Sequence, residues 1–146
     1  MWPGLIALLI AVLAAAAFAL YRRRVDGRFR TTNPAATADD EATAERLTEG
    51  DLGAPLGRSA TVVQFSSEFC APCRAAERVI TDAVAGLDGV RYLDIDSETK
   101  LDLVRRLNIL RTPTVVVTDD VGRIVARTAG VPTKQSLYAV LPAGAS

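Results

Sequence analysis

The first 21 residues, MWPGLIALLIAVLAAAAFALY, carry no charged side chain. As a helix this run spans about 30 Å, close to one bilayer hydrocarbon thickness. Trp2 and Tyr21 stand at its two ends, where amphipathic rings favour the lipid–water boundary. A buried core helix is disfavoured, because such helices seldom stay apolar on every face for so long. A cleaved signal peptide lacks its basic n-region ahead of Leu5, although the small-x-small stretch Ala17-Phe18-Ala19 keeps that alternative open. Residues 1–21 are therefore read as a single transmembrane anchor in the inner or plasma membrane, in contact with the lipid bilayer. Arg22, Arg23, Arg24, Arg28 and Arg30 crowd its C-terminal flank, offset only by Asp26. Basic flanks stay in the cytoplasm, so the bulk of the chain is expected there, with an extracytoplasmic orientation as the alternative. The same arginines can attract anionic headgroups.

Hydrophobic residues make up 49% of the 146, and the excess sits in that segment. Seventeen basic and 17 acidic residues cancel, which leaves no electrostatic footprint for nucleic acid. Histidine is absent. Hydrolases that need an imidazole base are thereby excluded, and the usual zinc ligand is missing. The two cysteines cannot build a dense disulfide framework and point instead to redox or metal chemistry.

Residues 22–53 read as a basic flank followed by a flexible, solvated linker. It is rich in Thr, Ala, Asp and Glu, with a short helix possible over Thr37–Leu47. The domain is placed at 54–146, starting near Leu47 to Ala54, and roughly ninety residues suffice for one small core. Thr61–Phe65 reads as a buried strand. Ala76, Val79, Ile80, Ala83, Val84 and Leu87 then fall at helical spacing, with Gly86 or Gly89 as the stop. VRYLDID alternates as a second strand. Ser97 is a candidate N-cap for a helix burying Leu101, Val104 and Leu107. TPTVVVTDD and RIVARTAG read as a hairpin around DDVG, and a last helix turns Leu137, Val140 and Leu141 inward. The order β-α-β-α-β-β-α implies an α/β fold, a mixed sheet flanked by helices, whose active residues gather where a strand's carboxyl end feeds a helix.

Cys70 and Cys73 occupy that junction, in FSSEFCAPCRAAERVI. Unpaired N–H groups and the positive end of the helix dipole favour a thiolate there, lowering the Cys70 pKa below the free value of ~8.5. Pro72 suits a first helical turn. Helical spacing brings the second sulfur within bonding reach, so Cys70 can attack a substrate disulfide and Cys73 can resolve the product. Two other readings stay open, a shared metal site and a purely structural disulfide. Zinc in structural sites wants four ligands, where this chain offers two sulfurs, so no metal is assigned. A bridge over so short a loop stabilises little.

FCAPC resembles the WCGPC signature of thioredoxins, and the likeness runs from about Thr61 to Leu141 through VVQFSSEFCAPCR, LDID, RTPTVVV and AGVPTKQSL. It implies a thioredoxin-like fold behind one N-terminal transmembrane helix, an enzyme of the protein-disulfide reductase or oxidoreductase type, and Cys70–Cys73 as its redox disulfide. It also implies no cofactor. Pro113 corresponds to the family's cis-proline. Thr112 beside it offers its backbone to an extended substrate, with Phe69 and Pro72 on the rim. The sequence departs from the family at several points. Gln64 stands where thioredoxins carry a buried aspartate, and Tyr92 where its lysine partner lies. Ser66 replaces a tryptophan, and Phe69 replaces the signature tryptophan. Gln64 and Glu68 are therefore possible modulators, with a water or Glu68 as substitute proton acceptor. Protein disulfides are the expected substrates, and a thioredoxin reductase or a membrane electron carrier the expected donor. An outward-facing relative acting in cytochrome c maturation or envelope disulfide control, and a non-catalytic docking module, are the competing readings.

Overall fold

The computed structural model of the protein describes residues 2–25, 27–31 and 45–141. Most of the helix expected over Thr37–Leu47, and the side chains of Trp2 and Arg22 to Arg24, lie outside the described residues. The apolar run forms one helix, α1 (Trp2–Val25). Its window Gly4–Tyr21 has no buried residue, unlike a core helix, and is long and apolar enough to cross a membrane or to serve as a signal sequence.

The remaining elements are β1 (Arg30–Thr31), α2 (Glu49–Leu52), β2 (Ala60–Ser66), α3 (Ala71–Val84), β3 (Val90–Asp96), α4 (Leu101–Arg106), β4 (Thr114–Thr118), β5 (Ile124–Ala129) and α5 (Lys134–Tyr138). They build one five-stranded sheet in the order β1-β5-β4-β2-β3. Only β2 and β3 run parallel, and the other three pairings are antiparallel. A crossover helix is what a parallel pair requires, and α3 supplies it.

Successive strand residues face opposite sides of a sheet. Val62, Val115, Val117 and Ala126 point to one side, where Ala76, Ile80 and Ala83 of α3 and Leu137 of α5 cover them. Val63, Phe65, Ile95 and Val116 point to the other, against Leu103 and Leu107. Cys73, Ala76, Ile80 and Ala83 are the buried stripe of α3, at the 3.6-residue period.

Two expectations are corrected. The helix over LDLVRR begins at Leu101 with Lys100 as N-cap, not at Ser97. Asp96 accepts the Glu98 N–H at 2.9 Å and the Thr99 hydroxyl reaches the Asp96 carbonyl at 2.9 Å, so residues 96–99 form a turn that delays the helix. The inward face rotates accordingly. Leu103 is buried and Leu101 is 51% exposed.

The stretch read as a flexible linker also contributes to the fold. β1 pairs with β5, Arg30 opposite Arg127, and the Gly27 N–H reaches the Ala129 carbonyl at 3.0 Å. Gly27 is buried at φ +81°, and a Cβ there would collide with the Val131 carbonyl, so only glycine fits. Further on, Leu47 is fully buried in the core and its N–H bonds the Gly122 carbonyl at 2.8 Å. The folded unit therefore begins ahead of residue 54.

Asp51 fastens this added segment. Its carboxylate accepts the Thr48 N–H at 2.8 Å within a capping box and pairs with Arg106 of α4 at 2.8 Å. Partial burial pushes its pKa up, but the bonds from Arg106 and Thr48 outweigh that and bring it from 3.8 to about 2. A carboxyl depressed on folding stabilises above its unfolded pKa and ceases to do so as pH falls through the folded value. Asp51→Asn is expected to cost about 1 kcal/mol at pH 7, given the half-exposed arginine. In denaturant titrations the difference from the parent should shrink between about pH 4 and pH 2 and vanish below.

Candidate redox site

β2 ends at Ser66, and four residues later the chain enters α3 with Cys70 as N-cap. The Cys70 Sγ accepts the Cys73 N–H at 3.1 Å, filling the capping place usually taken by a side-chain oxygen. Pro72 sits in the first turn, where its missing N–H costs no intrahelical bond. Cys70 and Cys73 are joined by a disulfide, their Cα atoms 5.2 Å apart. Cys70 is 8% exposed and Cys73 4%.

The Thr112–Pro113 bond is cis, as the resemblance implied, and Pro113 is buried. Two contacts bring this loop to the cysteine junction. Phe65 of β2 is in register with Thr114 of β4, and the Ser67 hydroxyl lies 3.2 Å from the Thr112 hydroxyl. Phe69 is 92% exposed and Leu110, three residues ahead of Pro113, is 84% exposed. Pro72 is exposed as well. Single exposed apolar groups are ordinary, but these stand next to the disulfide and its neighbouring loop.

Gln64 is 1% exposed and leaves the sheet on the α3 side, its Nε2 donating to the Cys73 carbonyl at 3.1 Å. That acceptor fixes which amide atom is nitrogen. The other, Oε1, is buried and has no hydrogen-bond partner among the described residues. Gln64, Ser66, Ser67, Glu68, Cys70, Cys73, Arg74, Glu77, Asp94 and Asp96 line one open cavity. Glu68 is solvent-exposed on its wall. Among the described residues no group of three or more His, Cys, Asp or Glu is arranged to hold a metal ion.

Sequence reasoning missed the Ser67–Thr112 contact, Leu110 and Asp94. The alternation in VRYLDID marked it as a second strand. It could not show that Asp94 stands in register with Gln64, because register across a parallel crossover is non-local.

A disulfide at the amino end of a helix, fed by an interior strand of a mixed α/β sheet, is an arrangement suited to thiol–disulfide exchange. Residues 54–143 match the family model described as Thioredoxin, and the chain belongs to the thioredoxin family. Rice (Oryza sativa subsp. japonica) thioredoxin H2-1 is 30% identical over 67 residues, covering 44% of this chain and 49% of that protein. A Staphylococcus aureus thioredoxin is 24% identical over 97 residues, covering 66% of this chain and 92% of its own. The chain spans about half the length of the plant relatives it matches. Among solved structures, desulfothioredoxin from Desulfovibrio vulgaris Hildenborough in its reduced form superposes with a TM-score of 0.51 at 28% identity, covering 56% of this chain and 78% of that one. Oxidized mitochondrial thioredoxin 3 from Saccharomyces cerevisiae gives 0.51 at 20% identity over 57% and 77%, a likeness of fold.

The helix N-terminus that holds Cys70 and the Cys73 N–H directed at its sulfur are features that favour a thiolate over a thiol. Alkylation of the reduced protein with iodoacetamide should modify Cys70 with a midpoint below pH ~8.5 and leave Cys73 largely unmodified. A midpoint at or above that value would remove the dipole argument.

Proposed function

We propose that the protein is a membrane-tethered thiol–disulfide oxidoreductase that reduces or exchanges protein disulfides through Cys70-Ala71-Pro72-Cys73. The observation that carries this reading is the capping geometry, a sulfur at a helix N-terminus accepting a backbone N–H and bonded to the sulfur one turn on.

The exchange has two steps. The Cys70 thiolate attacks one sulfur of a client disulfide; a Cys70–client bond forms, the client S–S bond breaks, and the released client thiolate takes a proton. Cys73 then loses its proton and attacks Cys70. The Cys70–Cys73 bond forms and the second client sulfur leaves, so the client gains two electrons and the site is oxidised. A thioredoxin reductase or a membrane electron carrier returns two electrons to the site. Thr112, Pro113, Phe69 and Pro72 receive the client, an extended segment lying along the Thr112 backbone with apolar side chains over Phe69.

α1 serves as the anchor in this reading, and the arginines after Tyr21 keep the domain on the cytoplasmic side. The unburied apolar surface of Gly4–Tyr21 supports the anchor, and the basic flank supports the side.

Full-length protein in detergent should reduce insulin in the presence of a dithiol donor. Cys70→Ser should abolish this activity, and Cys73→Ser should accumulate mixed disulfides with client proteins visible on non-reducing gels. Full biological activity of Cys70→Ser in cells would favour a docking role instead. Orientation has its own test. An alkaline phosphatase fusion after residue 141 should be inactive and the full-length chain should retain residues 1–21. An active fusion supports the outward-facing relative, and loss of those residues supports a signal peptide.

A further inference from the structure

We propose that Asp94 is the group that takes the proton from Cys73 as it resolves the mixed disulfide. The inference rests on the exchange function proposed above and deepens it. Resolution requires the Cys73 thiol to deprotonate. At 4% exposure in the disulfide form, the Cys73 sulfur has little direct access to bulk water as a proton acceptor. The polar side chain that faces it from β2 is Gln64, which cannot ionise.

Five charged residues line the cavity holding Cys70, Cys73 and Gln64: Glu68, Arg74, Glu77, Asp94 and Asp96. Arg74 is a cation and no base. Asp96 is already engaged in the turn after β3, accepting the Glu98 N–H. Glu68 lies on the exposed loop on the Cys70 side of the junction. Glu77 lies one turn beyond Cys73 on α3; it and Asp94 are both exposed, so strand register rather than burial separates them. Asp94 alone stands in register with Gln64 on the neighbouring parallel strand, so its side chain leaves the same face of the sheet, the face that α3 covers. The Ser66 hydroxyl bonds its carboxyl.

The surroundings also suit Asp94 to the task. Partial burial, followed by the Glu77 and Asp96 charges, raises its pKa, while the Ser66 bond lowers it, and the net direction is up. A carboxylate lifted towards neutral pH is a stronger base than an ordinary one. Tyr92 flanks it on the same strand face. Burial, with Asp94 and Glu77 nearby, pushes the Tyr92 phenol well above its usual range, so it stays protonated and does not compete as a base. The buried Gln64 Oε1, which has no partner among the described residues, supplies the acceptor for a water relaying the proton from Cys73 to Asp94. In the balanced step the Cys73 S–H bond breaks and its proton passes to Asp94. The Cys73–Cys70 bond then forms, and the client sulfur leaves with the electron pair and is protonated from Asp94 or solvent.

The test is stopped-flow reaction of the reduced full-length protein with 5,5′-dithiobis(2-nitrobenzoate). The first thionitrobenzoate released reports attack by Cys70, and the second reports resolution by Cys73. Asp94→Asn should slow the second phase about 10- to 100-fold near pH 7, leave the first no slower and remove an inflection from the pH profile of the second. Asp94→Glu should restore most of the rate. Glu77→Gln should move the inflection to lower pH, because one of the charges that raises it is gone. An unchanged second phase and profile in Asp94→Asn overturns the proposal, as does a loss that appears in Glu68→Gln instead. Absence of both phases in the parent protein would sink the exchange function itself, a separate result.

Discussion

Hydrogen-bond pairing of β2 on both edges is the constraint from which the rest of the domain follows. Seven residues of β3 lie parallel to it and five of β4 antiparallel, and Ala60 to Phe65 are buried. A strand held on both edges and covered on both faces has one free degree left, the direction in which its carboxyl end leaves. That end becomes the loop carrying Cys70 to the start of α3, and α3 is pinned in turn by Ala76, Ile80 and Ala83 against Val62 and its neighbours. The same pairing brings the Pro113 loop to the cysteines, because β4 is the strand next to β2 and Thr114 is its first residue.

Where the hydrophobic pattern is local, the fold was readable from residues alone. The period-3.6 stripe of α3, the buried run before it and the hairpin around Gly122 all depend on near neighbours in sequence. β1 was not readable. Two residues, Arg30 and Thr31, carry no apolar pattern, and they pair with Arg127 and Ala126 at the far end of the chain. Leu47 was read only as the earliest possible start of the domain, because the residues that share its core cluster, among them Ile124 and Leu107, come from distant strands and helices. Cys70, Cys73, Pro113 and Gln64 were legible because the family motif is compact, whereas Asp94 depends on a register that no motif records.

Gln64 illustrates how a site can keep its shape while changing its chemistry. Its amide nitrogen holds the Cys73 carbonyl, tying the first turn of α3 to β2. An ionisable group at that position would bring charge into a buried place, and here the charge is moved to the open wall instead. Four carboxylates and one guanidinium line that wall. The Cys70 sulfur thus lies between a donor N–H, which favours the thiolate, and acidic neighbours, which oppose it. Its reactivity reflects their balance rather than the helix dipole alone.

The docking of Gly27 against β5 has a mechanical meaning once α1 lies in a bilayer. A free tether of residues 22–53 would let the domain roam about 100 Å from the lipid surface. With Gly27 and β1 built into the sheet, the slack between Tyr21 and the folded body is at most about 20 Å. If α1 is the anchor proposed above, the domain stays close to the headgroups, and client cystines would have to reach it there.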